Sequence, residues 1–249
     1  MTDAEKETPA IGPAIGPAMD PAIDPAVALV RLLQLASPAL PIGAYSYSQG
    51  MEWVVESGTV HDAATAATWI GDLLDLVVAP GEAAVAWRLL NAAGRRDWDE
   101  FGKWNGWFCA SRETAELRAE TEQMGAALIK LALALDLLDE STMGQLGQWP
   151  AVSLPAAFAL SARGYGIASD IALIAYVWSW LEAQVAAAIK CVPLGQVAGQ
   201  RLLKMLGARI PGVVAAARAT ADDEVTSFAP GLALASARHE TQYTRLFRS

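Results

Sequence analysis

Leu117, Thr121, Met124, Leu128, Leu131, Leu135 and Leu138 recur at alternating steps of four and three. That spacing lines them up on one stripe of a single long helix. A helical period runs through most of the chain. AVALVRLLQLA is apolar on more than one face and stops at Ser37-Pro38, where the residue before proline is driven out of the α region. SQGMEWVVES predicts a short helix ending at Gly58, and DAATAATWIGDLLDLVV a longer one capped by Asp62. GEAAVAWRLLNAA and DWDEFGKWNGWFCAS follow, with Gly94 separating them. After a Gly- and Pro-rich break over 144–155, LPAAFALSARG resumes the pattern. ASDIALIAYVWSWLEAQVAAAIK is apolar all round, which marks a central buried helix, and its small AQVAAAI end admits a close neighbour. LGQVAGQRLLKML and VVAAARAT complete the set. No segment alternates with period two, so the pattern predicts an all-α protein, a single bundle of about nine or ten helices.

The first residues break that pattern. PAIGPAIGPAMDPAIDPAV places proline at 9, 13, 17, 21 and 25. Proline at every fourth position removes backbone donors and blocks helix propagation, so 1–23 is expected to be a disordered Pro/Ala-rich tail and 24–249 the helical domain. Asp24-Pro25 supplies an N-cap and an N1 proline for the first helix.

Composition sharpens the picture. Hydrophobic residues make up 53% and charged residues 18%, with nine Trp. An ordinary soluble domain has about 25% charged residues, so the apolar surplus points to a surface covered by a partner or a second copy. The net charge of -9 and the lack of a Lys/Arg run before the last dozen residues argue against nucleic acid. IALIAYVWSWL lies between Asp170 and Glu182 and falls short of the roughly 20 residues a membrane span requires. MTDAEKETPA is acidic and carries no export signal, so a cytoplasmic location is expected.

Little points to catalysis. His61 and His239 stand far apart without a second ligand at metal spacing, and Cys109 and Cys191 read as reduced core thiols, so no metal site is expected. There is no G-x-S-x-G, P-loop or H-E-x-x-H pattern. The adjacent pair Asp222-Asp223 lies in a polar break and reads as a solvated turn, which weakens the rival reading of a helical prenyl-synthase-like enzyme holding magnesium pyrophosphate.

Four stretches are odd for a plain bundle. In SPALPIGAYSYSQGME, two prolines and Gly43 stiffen a loop before Tyr45, Ser46, Tyr47 and Ser48. Either a serine caps the next helix with the tyrosines against the core, or the stiff loop is a recognition element that costs little entropy to bind. SRETAELRAE sets Arg112, Glu116 and Glu120 one turn apart, a charged face that is either solvated or in contact with a charged partner. KCVPLGQVAGQR puts Gln196 and Gln200 one turn apart beside an apolar junction. RHETQYTRLFRS ends the sequence on three arginines and two aromatic rings.

These stretches resemble the urease accessory protein UreF family. The resemblance runs in order through LLQLASPALPIGAYSYSQGMEW, SRETAELRAETEQMG, YVWSWLEAQVAAAIKCVPLGQVAGQRLL and HETQYTRLFRS, over roughly residues 29–249. It implies an all-α protein that is not itself an enzyme, dimerises, binds UreD (also called UreH) and recruits the GTPase UreG. The complex would deliver nickel to apo-urease, with no cofactor and no tight nickel site on this chain. The first helix, the SPALPIG loop and the carboxyl-terminal tail are the regions the family uses for partner contacts. The candidate partner-binding residues are therefore Pro41, Ile42, Gly43, Tyr45, Ser46, Tyr47 and Ser48 in the loop. Arg112 and Glu116 join them from the charged stretch, and Gln196 and Gln200 from the junction. Glu240, Tyr243, Arg245, Leu246, Phe247 and Arg248 complete the set in the tail.

Two further expectations follow. Tyr243, Leu246 and Phe247 are expected to pack into a groove with the arginines outward, and Arg245 to meet Tyr45 in one composite surface. Likeness of the family to GTPase activators adds an alternative in which Arg112, Arg245 or Arg248 is inserted into the partner's active site.

Overall fold

The protein is described by a computed structural model over residues 23–249. The proline repeat and almost all of the expected tail lie outside the described residues. Within them the architecture is all-helical, with no strand. The helices are α1 (Pro25–Leu35), α2 (Met51–Glu56), α3 (Ala63–Leu73), α4 (Ala83–Arg95), α5 (Trp98–Ala110) and α6 (Ala115–Ala134). They continue with α7 (Glu140–Leu146), α8 (Leu154–Gly164), α9 (Ser169–Cys191), α10 (Gln196–Gly207), α11 (Ile210–Ala219) and α12 (Pro230–His239). Ten of these have ten residues or more, and α2 and α7 are short.

Helix α9 is the axis of the bundle, as its all-round apolar character predicts. It packs against α4, α10, α2, α11 and α8. Its 23 residues would suffice by length and apolarity for a membrane span, but 61% of its most apolar window is inside the molecule, the position of a core helix. Helix starts follow the caps written in the sequence. Asp24 accepts from the Ala26 N–H at 2.7 Å, and Asp62 from the Thr65 N–H at 2.8 Å.

On α6 the predicted stripe buries Leu117, Thr121, Met124 and Leu128. It ends before Leu135, which is exposed, and the chain turns at Asp136 with φ +53°. Gly125 lets α6 lie directly against the α7–α8 link, because a Cβ there would stand 2.0 Å from the Val152 carbonyl oxygen.

Three features depart from the sequence reading. The break expected at Ala79-Pro80-Gly81 is absent: helix α3 runs into α4 through a π-helical segment, Leu74–Glu82, that contains Pro80. In the wider ladder the Ala83 N–H reaches the Val78 carbonyl, so the helix passes the proline, which has no N–H to give. The stop expected at Gly94 falls instead at Arg96, which adopts the left-handed conformation. Helices α7 and α12 occupy segments read as a break or left unassigned. α12 carries a signal at its start, Pro230 in its first turn, followed by an Ala/Leu run.

Candidate functional site: the docked carboxyl end

Loop 37–50 joins α1 to α2, and two glycines in the left-handed region, Gly43 and Gly50, shape it. Gly50 also admits α12, since a Cβ there would meet the Ala235 Cβ at 2.9 Å. That close crossing brings the end of α12, and the chain beyond it, onto α2 and the loop.

The tail is tied mainly through its backbone. Glu52, in the first turn of α2, accepts from the Leu246 N–H at 2.6 Å and from the Phe247 N–H at 2.9 Å. The Arg248 N–H donates to the Ser46 carbonyl at 2.7 Å, and the Ser48 N–H to the Ser249 carbonyl at 2.6 Å. The Ser48 hydroxyl donates to the same carbonyl, and the Ser249 hydroxyl donates to Glu120 at 2.8 Å. Ten ordered residues cost about 1–2 kcal/mol each in backbone entropy, so bonds to carboxylates are the kind needed to hold such a segment.

At the root of the tail, His239 is fully buried between two carboxylates. Its Nδ1 lies 2.6 Å from Glu116, and its Nε2 lies 3.2 Å from Glu52. Both contacts are hydrogen bonds only when both ring nitrogens carry protons. The second Glu116 oxygen takes Arg245 at 2.7 Å.

The expected contact between Tyr45 and Arg245 is therefore not made. A carboxylate is the stronger partner for a guanidinium than a ring is, and Glu116 holds it. Tyr45 is exposed and meets Lys190 instead, whose ammonium donates to the Tyr45 carbonyl at 3.3 Å and lies 6.0 Å from the Tyr45 ring centroid. The same ammonium stands 5.2 Å from the Phe247 ring centroid. Of the three tail side chains expected in a groove, only Phe247 is buried, whereas Tyr243 and Leu246 project into solvent at 102% and 66% exposure.

The remaining candidates fall as follows. Pro41 and Tyr45 are exposed, Ile42, Gly43 and Ser46 half-buried, and Tyr47 and Ser48 buried, Tyr47 donating to Gln123 at 2.8 Å. Ser48 shows both loop readings at once, since it faces α2 and binds the tail. Arg112 is turned inward, 3.5 Å from Glu82 and over the Phe108 ring at 4.1 Å. Glu116 and Glu120 also face inward, so the charged stretch does not form a solvated face. Its partners are the chain's own His239, Arg245 and Ser249. Glu240 accepts from the Glu116 N–H at 3.3 Å, and Arg248 is exposed. Gln196 and Gln200 are exposed on α10, apart from the tail. Asp222, half of the only adjacent acidic pair, is held by Arg88 at 2.7 Å.

Sequence reasoning missed Glu52, Gln49 and His239. Gln49 sits in the left-handed region at φ +51°, a conformation that a non-glycine residue rarely adopts and that here sends its amide inward. Burial pushes the Glu120 carboxyl up to about 7 and the Cys191 thiol up to about 12. Among the described residues, no three His, Cys, Asp or Glu side chains stand where they could hold a metal ion.

Fold and site together define an all-α protein whose most elaborate polar construction is a dock for its own carboxyl end. The UreF family model matches residues 60–207, and the chain belongs to the UreF family. It is 53% identical over 228 residues to the urease accessory protein UreF of Azoarcus sp. (strain BH72), covering 89% of this chain and 95% of that one. It is 48% identical over 222 residues to the UreF of Methylobacillus flagellatus, covering 89% and 98%. A bifunctional urease accessory protein UreEF of Bordetella bronchiseptica is 51% identical over 225 residues, covering 89% of this chain and 52% of that longer relative.

Proposed function

We propose that the chain acts in urease maturation as an interaction protein that dimerises, binds UreD/UreH and recruits the GTPase UreG, so that the complex delivers nickel to apo-urease. The observation that carries this reading is the docked tail. Its backbone is fixed on loop 37–50 while Tyr243, Leu246 and Arg248 face outward beside Tyr45. Exposed rings and an arginine on an ordered backbone suit a protein interface, where such residues carry most of the binding energy. Substituting the four outward side chains by alanine together leaves the anchoring bonds in place. Co-purification with UreD and UreG should then fall while the melting temperature holds; undiminished co-purification overturns the reading.

A second reading, activation of UreG by an inserted arginine, narrows to one residue. Arg112 is buried against Glu82 and Arg245 is paired with Glu116, whereas Arg248 is exposed. Single-turnover GTP hydrolysis by UreG with the chain, and with its Arg248→Ala variant, distinguishes activation from scaffolding.

A further inference from the structure

Beneath loop 37–45 a cavity of about 150 Å³ runs inward between the loop and α9. Exposed Pro38, Tyr45 and Lys190 stand at its rim, and buried Glu82, Glu120, Tyr176 and Gln184 line its inner end. Leu40, Ile42, Met124, Leu128, Phe158 and Trp180 give it apolar walls.

The hydrogen bonding of the inner end has one consistent solution. An indole can only donate, so the Trp180 N–H, 2.9 Å from Gln49 Oε1, fixes the orientation of that amide. The Gln49 NH₂ group then faces Glu120 at 2.8 Å. Gln184 must also donate to Gln49 Oε1, at 3.2 Å, which leaves Gln184 Oε1 buried without a partner. Tyr176 gives its hydroxyl proton to Glu82 at 2.6 Å, and Arg112 offsets the charge of Glu82. Glu120 is different: its two donors, Gln49 and the Ser249 hydroxyl, are neutral. Among the described residues no cation lies within ion-pair distance of it. The inner end thus has acceptors and negative charge to spare and lacks a cationic donor.

We propose that this cavity binds an amphipathic monocation of the alkylguanidinium class, with the guanidinium against Glu120 and Gln184 and the alkyl stem along the apolar walls. The planar fork of a guanidinium can serve a carboxylate and a neighbouring carbonyl together, and it sheds water more readily than an ammonium. A divalent ion would want about six oxygens, more than converge here. The volume is that of a cavity able to hold a ligand of about six heavy atoms. The group can be borne by a free small molecule or by an arginine side chain. The charged and titratable groups facing Glu120 are Glu82, Arg112, Tyr176, and Tyr47 with Arg248 beside it; Glu182 and Lys190 stand toward the mouth. Because burial holds the Glu120 carboxyl up to about 7, uptake of a monocation strengthens as the carboxyl ionises.

The test is calorimetric titration of the full chain with three probes: ethylguanidinium, its neutral isostere ethylurea, and acetyl-Gly-Arg-Gly-amide. Ethylguanidinium should bind at least about tenfold tighter than ethylurea at about pH 8, and more weakly at about pH 6. Glu120→Gln should abolish the preference for the cation, and Ala183→Leu, which narrows the cavity without touching its charge, should weaken binding of both small probes. Tighter binding of the peptide than of ethylguanidinium identifies a side chain as the source, and the reverse order a free molecule. Equal binding of the cation and the urea, no binding of ethylguanidinium, or a cation preference that survives in folded Glu120→Gln overturns the proposal. If Glu120→Gln does not fold, undiminished binding in Ala183→Leu overturns it.

Discussion

The Phe247 backbone N–H donates to the Glu52 carboxylate at 2.9 Å, and this bond between α2 and the tail seats the Phe247 ring beneath Lys190. The carboxylate that grips Phe247 also faces His239, so one side chain ties the root of the tail to its tip. Removing Glu52 therefore acts on both ends of the segment.

Glu52→Ala should leave the helix content intact yet speed release of the last residues by a carboxypeptidase. The lost acceptor leaves the Phe247 N–H and His239 without partners, at a cost of about 1–3 kcal/mol. A release rate equal to that of the parent chain would show that the bond holds nothing.

His239→Phe should be more disruptive than its conservative volume suggests, because Glu52 and Glu116 lose the group between them while remaining mostly buried. Breaking a buried ionic cluster costs about 3–5 kcal/mol. In a double-mutant cycle with Glu116→Gln, denaturant midpoints should show a coupling of about 0.5–3 kcal/mol, and strict additivity would remove His239 from the clasp.

Glu120 gives the fold a pH dependence of definite sign. Its folded value, raised by burial from 4.5 to about 7, means that the native state holds this proton more tightly than the unfolded chain does. The stabilisation is fully present below about pH 4.5 and is lost as pH rises through about 7, up to roughly 3 kcal/mol over that window. Urea midpoints of Glu120→Gln should fall less than those of the parent between about pH 5 and about pH 8. Parallel profiles for the two proteins would refute the assignment.

The thiols should be sluggish. Burial pushes Cys191 up to about 12 and raises Cys109 as well, so neither supplies much thiolate near neutral pH. Disulfide reagents should label both slowly in the native protein and rapidly in urea; fast native labelling of either would contradict its placement.

The bundle was largely legible in the sequence because helical periodicity and caps are local. The Asp24 and Asp62 caps, the stop at Ser37-Pro38 and the buried part of the α6 stripe each depend on residues within a few positions of one another. The docked tail was legible only as an oddity. Arg245 and Glu116 are 129 positions apart, and which carboxylate receives a guanidinium depends on how α12 crosses α2. The run Arg112, Glu116, Glu120 looked solvated because charge in a helix usually is. Each member is turned inward by a partner that no spacing rule links to it. Gln49 escaped notice because its role comes from a left-handed backbone next to Gly50, which composition does not reveal.

The π-helical segment between α3 and α4 sets the rotational phase of everything that follows it. Each residue advances an α-helix by about 100°, so dropping one residue from 74–82 would restore a regular ladder and swing the inward side of α4 by about that angle. Leu89 and Leu90 would leave the core, and the Glu82 carboxylate would lose its aim at Tyr176. The irregular stretch is thus the frame-setting joint of the bundle, and single-residue deletions that would tidy it are the ones the fold should tolerate least.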